Sequence, residues 1–321
     1  MNLAPILDRL IESSRERGSD ASVATMTIVV FFDSPEIGEL ARVRIRMLAA
    51  KHPSRVIVLD GTQSQQTYLI EGADWVELGV KESGPENLSS AVGALRLPEA
   101  PIVLLWIASG IGADARFDGL CENVQTIVYN SSLVDAGHAA LCELVEYIDG
   151  HPDLPIADIA YLRLAPWQES IAIFFDGAAS EELGDLERIE ITCGSEPEAF
   201  YLLGWLASRL GWTPASSDSL VSSRGKRITF AIRREGHPRR VFRVSLASTR
   251  STFVAELDPD EETISLSVTG SSKHGARYRR IDNLGIPTLV ERAILWGRND
   301  RIFQAALASA GAILAQRKGA S

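Results

Sequence analysis

Three places in the chain bring together residue types and spacings that could do chemistry. The first is Gly110-x-Gly112-x-x-Ala115, which follows a strand-like run, Ile102 to Ala108, and precedes a short helical pattern. Glycines in that context let backbone N–H groups approach a pyrophosphate at a helix N-terminus. Here, however, the pattern sits on an inner strand rather than in the first β-α-β unit. The position about 20 residues on, where a ribose-binding acid belongs, holds Asn130. Gly110 and Gly112 therefore read mainly as a turn that lets a short loop leave a buried strand, with dinucleotide binding as the lesser reading.

The second place is His52-Pro53-Ser54-Arg55, between a helix and a strand. Ser54 and Arg55 could hold a phosphate at a sheet edge. A structural or interface role is favoured, with Pro53 stopping the helix and Arg55 at the strand entrance. A Ser–His pair is not supported, because no GxSxG elbow occurs. The third is a basic cluster: Arg224, Lys226, Arg227, Arg233, Arg234, Arg239, Arg240 and Arg243, followed later by Arg277, Arg279 and Arg280. Nucleic-acid binding wants aromatics interleaved with the cations on the wet face. Phe230 and Phe242 instead fall where alternation turns them to the core. A protein or anion contact, or an ordinary solvated sheet face, suits the cluster better. His138, His151, His237 and His274 show no ligand spacing, and no GxxxxGK[ST] loop is present. No catalytic residue, cofactor or metal is therefore expected.

The elements that would position these residues can be read from periodicity. Leu3 to Arg17 is amphipathic, with Ile6, Leu7, Leu10 and Ile11 on one side. Val23 to Phe32 is a continuous β-rich run, as in a strand buried on both faces. Ser34 caps the next helix, with Pro35 at its first position and Lys51 near its end. Ile37, Leu40, Ile45 and Leu48 are among its apolar positions, and Arg42, Arg44 and Arg46 are expected to face solvent. Strands follow at Val56–Leu59, Trp75–Val80, Ile102–Ala108 and Thr126–Tyr129. Helices lie at Asn87–Leu95, Ala115–Glu122 and Val134–Ile148.

In Ala157 to Gly177, two short helical patterns meet at Pro166. Trp167, Ile171, Phe174 and Phe175 then make one bulky face, and Gly177 is a candidate C-cap. Beyond it lie a strand at Glu187–Cys193 and a helix at Pro197–Leu210 ended by Gly211. Four strand-like runs, Arg227–Arg233, Val241–Ala247, Thr252–Leu257 and Thr263–Val268, alternate with period two. Helices at Thr288–Trp296 and Asp300–Gln316 close the reading.

The fold class expected is α/β plus α+β. A Rossmann-like three-layer domain with a mostly parallel sheet covers residues 1–152. A helical connector covers 153–186, and an antiparallel sheet packed with helices covers 187–321. Charge supports a boundary near 177–188. Residues 1–187 carry 12 basic and 29 acidic side chains, and residues 188–321 carry 20 and 13. The chain is 45% apolar and 23% charged, with pI near 5.1, as for an ordinary soluble protein. No apolar run is long enough to span a membrane and the N-terminus is not a signal peptide. Three scattered cysteines, Cys121, Cys142 and Cys193, fit reduced thiols and a cytoplasmic location.

HPSRVIVL (His52 to Leu59), LPEAPIVLLWIASG (Leu97 to Gly110), DLPIADIAYLRLAPWQESIAIFFD (Asp153 to Asp176) and FYLLGWLASRLGW (Phe200 to Trp212) occur in this order. Together they resemble the OpcA family of glucose-6-phosphate dehydrogenase assembly proteins, over nearly the whole chain. The resemblance implies a non-catalytic partner that promotes the dehydrogenase's active oligomer and so supplies NADPH through the oxidative pentose phosphate pathway. The residues themselves, with the aromatics of the basic strands turned to the core and no long apolar run, point to no nucleic-acid or membrane partner. His52, Ser54, Arg55, Trp106 and Trp167 are the candidate interface residues, with Trp167 weighed mainly as packing. Many members have a double tryptophan after the central strand; here Trp106 is followed by Ile107. The thioredoxin control of photosynthetic members does not carry onto three scattered cysteines. The alternative is a sugar-phosphate- or nucleotide-binding enzyme using the carboxyl ends of the parallel strands, motivated by Gly110, Gly112 and Arg55.

Overall fold

The computed structural model describes residues 4–16, 24–69, 74–108, 110–122, 124–133, 138–235, 240–270, 277–281, 285–296 and 300–318. In chain order the elements begin α1 (Ala4–Glu16), β1 (Met26–Phe32), α2 (Pro35–Lys51), β2 (Ser54–Asp60), β3 (Ser64–Leu69), β4 (Trp75–Val80), α3 (Pro85–Leu95), β5 (Ile102–Ile107) and α4 (Ala115–Cys121). They continue with β6 (Thr126–Tyr129), α5 (Ala139–Gly150), β7 (Ile156–Asp158), α6 (Ile159–Leu162), α7 (Ala165–Phe174), β8 (Leu186–Cys193), α8 (Glu196–Leu210), β9 (Thr213–Ser216) and β10 (Ser219–Val221). The last are β11 (Arg227–Arg234), β12 (Val241–Ser248), β13 (Ser251–Leu257), β14 (Thr263–Gly270), β15 (Arg277–Arg280), α9 (Ile286–Trp296) and α10 (Arg301–Lys318). The chain clusters into two compact units. One is Met1–Leu133 with Glu146–Ile159 and Ile286–Asn299. The other is Val134–Val145 with Ala160–Gly285 and Asp300–Ser321.

The first unit is built on a seven-stranded sheet in the order β3-β4-β2-β1-β5-β6-β7. All neighbours are parallel except the edge strand β3, which runs antiparallel to β4. Leaving β3 aside, this is the Rossmann order, with its topological switch point between β1 and β5. β1 is buried over Thr27 to Phe32, as its unbroken β-branched and aromatic run requires. The helix after it begins as its sequence dictates. Ser34 is the N-cap, its hydroxyl accepting from Ile37 N, and Pro35 fills the first turn. The inward face of α2 is Gly38, Ala41, Ile45 and Leu48. Leu40, expected among its apolar positions, is 49% exposed.

The second unit carries an eight-stranded sheet in the order β15-β14-β13-β12-β8-β11-β10-β9. Every pairing is antiparallel except β8 with β11. The alternation read in β12 is shifted by a bulge between Val241 and Arg243. The extra residue re-aims the pleat, so Val241 is buried and Phe242 is only half-buried. α7 packs on β13 and β14, and Phe174 and Phe175 lie 5.6 and 4.8 Å from the Phe253 ring. Its C-cap is Phe175 rather than Gly177. α8 ends at Gly211, whose φ of +67° only glycine adopts freely.

The tightest helix pairing in this unit is α8 with α10. A Cβ on Gly204 would stand 2.3 Å from the Ala306 carbonyl oxygen and 2.8 Å from Ala310 N. Both obstacles are backbone, so the helices must separate to admit a methyl group. Gly204→Ala is expected to cost about 1–3 kcal/mol and lower Tm. Gly93→Ala, in the exposed face of α3 with no atom within 4 Å of the new Cβ, is expected to stabilise by about 0.5–1 kcal/mol. Thermal or urea denaturation of both variants checks the contrast.

Candidate functional site

Ligands of a doubly wound sheet bind at the carboxyl ends of its strands, at the switch point. Here that edge is made by the turn from β1 into α2 and the loop from β5 into α4. The first turn reads Phe32-Asp33-Ser34-Pro35-Glu36-Ile37-Gly38. A dinucleotide turn offers glycines and free N–H groups to an anion. This one offers a proline without an N–H, a serine already committed to the cap, and the carboxylate of Glu36. Ser34 Oγ donates to Glu36 Oε2 at 2.8 Å, which holds that carboxyl below its ordinary range. Gly38 alone does what a fingerprint glycine does for packing, since a Cβ there would lie 2.5 Å from the Phe32 ring.

The acid at the end of β2, where a ribose hydroxyl would be held, is Asp60. It is occupied by the protein's own groups. Thr62 donates to Asp60 Oδ1 from its hydroxyl at 2.6 Å and from its N–H at 2.9 Å. Arg42 Nη2 donates to Asp60 Oδ2 at 2.9 Å, while Arg42 Nε reaches Glu77 Oε2 at 3.0 Å. Trp75 Nε1 donates to Glu77 Oε1 at 2.9 Å, and the Arg42 guanidinium lies 4.9 Å from the Phe32 ring centre. Burial opposes the charge on Arg42, but Asp60 and Glu77 together push its pKa above its usual value. Arg42 thus does not face solvent as its alternation with Arg44 and Arg46 suggested. It sits four residues after Gly38 and three before Ile45, on the buried stripe. That spacing is the signal in the sequence that could have found it.

On the other side of the switch point, Gly110 turns the chain out of β5 with φ +67°. Its carbonyl accepts from Trp106 Nε1 at 3.2 Å. Trp106 is 1% exposed, stacked on Phe31 at 4.3 Å and edge-on to Phe117 at 5.0 Å. Arg116 covers the Phe31 ring at 4.8 Å and clasps Asp114, the N-cap of α4, through Nε and Nη2 at 2.9 and 2.6 Å. Burial works against ionisation of Asp114, yet its bonds to Arg116 hold its carboxyl below the ordinary range. A Cβ added at Gly112 would lie an ordinary 3.8 Å from the Tyr147 ring. The Gly110–Gly112 turn thus seats an indole and leads into a capped helix.

Arg55 stands at the amino end of β2, the edge opposite to the ligand-binding one. Its Nη2 pairs with Asp74 at 3.0 Å, and its Nη1 donates to the Leu95 carbonyl at 3.2 Å. Ser54 Oγ donates to the His52 carbonyl, and His52 Nε2 lies 3.1 Å from Glu291 on α9. The tetrad therefore ties strand ends together. Trp167 is 5% exposed within α7 of the second unit. Within the first unit His52, Ser54 and Arg55 are together at the amino end of β2, while Trp106 lies near the carboxyl end of β5; Trp167 belongs to the second unit. The basic strands are answered by acids on neighbouring strands. Examples are Arg243 with Glu256 at 3.0 Å, Lys226 with Glu187 at 3.2 Å and Arg280 with Glu262 at 3.1 Å. Arg239, His237 and His274 lie outside the described residues. A hollow of about 610 Å³ between α3 and α4 is rimmed by Glu86, Asp118 and Glu122, a lining that repels anions.

Removing the Arg42 charge would leave two partly buried carboxylates without a counter-ion. Arg42→Leu is expected to cost about 3–5 kcal/mol, and Arg42→Lys to recover only part of it, since a point charge cannot serve both acids and the ring. Urea denaturation of the variants measures this. Cys121, Cys142 and Cys193 form no disulfide. Burial first, and nearby carboxylates second, push the Cys121 and Cys193 thiols up to about 12. Thiolate is the reactive form, so neither should react with iodoacetamide at neutral pH while the protein is folded. Mass spectrometry after labelling of native and denatured chains checks this.

With this geometry in place, the comparisons with known proteins take on meaning. Residues 154–307 match the family model for the C-terminal domain of a glucose-6-phosphate dehydrogenase subunit. A protein of Synechocystis sp., provisionally described as OxPP cycle protein OpcA, is 30% identical over 190 residues, covering 53% of this chain and 39% of that protein. A Nostoc punctiforme protein of the same description is 31% identical over 161 residues, covering 48% and 33%. The chain therefore matches well under half the length of these curated relatives. Among solved structures, the aldose-aldose oxidoreductase of Caulobacter crescentus superposes with TM-score 0.52 at 10% identity, covering 92% of this chain and 98% of that one. An oxidoreductase of provisional description from Magnetospirillum magnetotacticum gives 0.51 at 9% identity, covering 90% and 99%. Those two likenesses show a Rossmann-type fold and nothing of activity. The sequence comparisons carry the likeness: the chain is similar to OpcA proteins, and its residues 154–307 match the C-terminal domain that the family model describes.

Proposed function

We propose that this chain is a non-catalytic partner that assembles with glucose-6-phosphate dehydrogenase in the cytoplasm and favours its active oligomer, serving the oxidative pentose phosphate pathway and NADPH supply. One observation carries the reading. The domain match names a dehydrogenase subunit, while at the edge where a Rossmann sheet holds its dinucleotide Asp60 is already bonded by Arg42 and Thr62, and the first turn offers Pro35 and Glu36 in place of glycines. A cofactor edge with those groups suits a binding partner better than an enzyme. The same observation weighs against the sugar-phosphate- or nucleotide-binding alternative, as does the acidic rim of the hollow beside α4.

A partner of this kind acts by differential affinity. It shifts the dehydrogenase toward the state it binds better, by no more than the difference in binding free energy between the two states. Of the candidate contacts, His52 is the most open, with 32% of its side chain exposed. Trp106 and Trp167 are buried, so their contribution would come from holding the surfaces above them.

Mixing the full chain with its cognate dehydrogenase tests the proposal. A larger assembly in sedimentation and a changed kcat or KM are expected. Absence of both, across substrate concentrations, overturns it. A thermal-shift screen with NADP, glucose 6-phosphate and 6-phosphogluconate is expected to leave Tm unmoved; a ligand that stabilises the isolated chain favours the enzyme alternative.

A further inference from the structure

Six large apolar side chains are exposed among the described residues: Leu40, Val43, Met47, Tyr278, Leu295 and Ile302. Half of them lie on α2. Leu40, Val43 and Met47 are 49%, 54% and 58% exposed and follow one another at spacings of three and four, so they form a single stripe. That stripe lies away from the helix's buried face of Gly38, Ala41, Ile45 and Leu48. Both faces of α2 are therefore apolar, and only one is covered among the described residues.

The charges around the stripe are ordered. Glu36 and Glu39 precede it, and Arg46 and Lys51 flank and follow it; all four are exposed. A two-fold axis through Val43, turning the helix antiparallel to a copy of itself, places Val43 against Val43. It sets Leu40, Glu39 and Glu36 level with positions 46, 47 and 50 of the second copy, so each lies one residue, about 1.5 Å of helix rise, from Met47, Arg46 and Lys51 respectively. Each acid meets a base and each apolar residue meets an apolar one. Opposed helix dipoles favour the same direction. A surface that complements itself under a two-fold is the requirement for an isologous dimer. A foreign partner would have no reason to find this palindrome.

We propose that α2 docks antiparallel on α2 of a second copy of this chain, across a two-fold axis at Val43. The inference goes beyond the activity proposed above and does not rest on it. Sedimentation equilibrium of the full chain alone, up to about 100 µM, is expected to give twice the 34.9 kDa chain mass. Val43→Glu puts two like charges on the axis and should return the mass to 34.9 kDa with far-UV circular dichroism unchanged. Glu39→Lys and Arg46→Glu should each weaken association about tenfold or more, and the double variant should restore it, because only residues that meet across the axis compensate. Arg46 also lies 5.3 Å from the Trp75 ring, and Glu39 Oε1 lies 3.2 Å from Arg42 Nη1, so both single variants are judged by this rescue. A wild-type chain that stays at monomer mass, a dimer untouched by Val43→Glu, or a double variant that fails to re-associate would each overturn the proposal.

Discussion

The Arg42 guanidinium is the contact on which much of the first unit depends. It reaches from α2 to the end of β2 and to β4 while resting on the last ring of β1. Three adjacent strands and a helix are thus fixed by one planar fork. Few residues could replace it, because Asp60 and Glu77 approach from different directions and the ring supplies a third partner. The geometry also carries a cost. Two carboxylates are drawn out of water and are tolerable only while the guanidinium stays. Other folds of this architecture use the acid at the end of β2 to hold a ribose hydroxyl; this chain uses it to hold its own frame.

That substitution of an internal partner for a ligand makes the fold and its chemistry separable. The sheet order of the first unit is that of dinucleotide enzymes, and both solved structures named above are oxidoreductases. Yet the turn that would cradle phosphate carries a proline and a glutamate, and the loop that carries glycines uses one of them to seat Trp106. Sheet order is set by buried apolar strands, whereas a site is set by a few polar residues at their ends. The two can drift apart without loss of stability.

Most of the fold was legible in the sequence. The buried run of β1, the Ser34-Pro35 start of α2, the span of β4 and the Gly211 stop of α8 all follow from local rules. β3, β7, β9, β10 and β15 were not read. They are edge strands or pieces of three or four residues, too short or too polar to show alternation. The bulge in β12 was hidden because it shifts the pleat by one residue without changing composition. At the candidate site Gly110 turns the chain out of β5, and its carbonyl holds the Trp106 indole. Arg42 was missed because charge was read before helical phase. Asp60 was missed because the strand was ended one residue early.

The order of elements along the chain has a consequence for biosynthesis. α9 belongs to the first unit although the rest of that unit lies before residue 160, and α10 closes the second unit by lying in the groove that Gly204 leaves open. Each core is therefore missing a wall until residues 286–318 have been made. While the ribosome is still at work on the strands of the second sheet, apolar faces of both units stay open for the seconds that synthesis takes. Each unit therefore waits on residues 286–318 to complete its core.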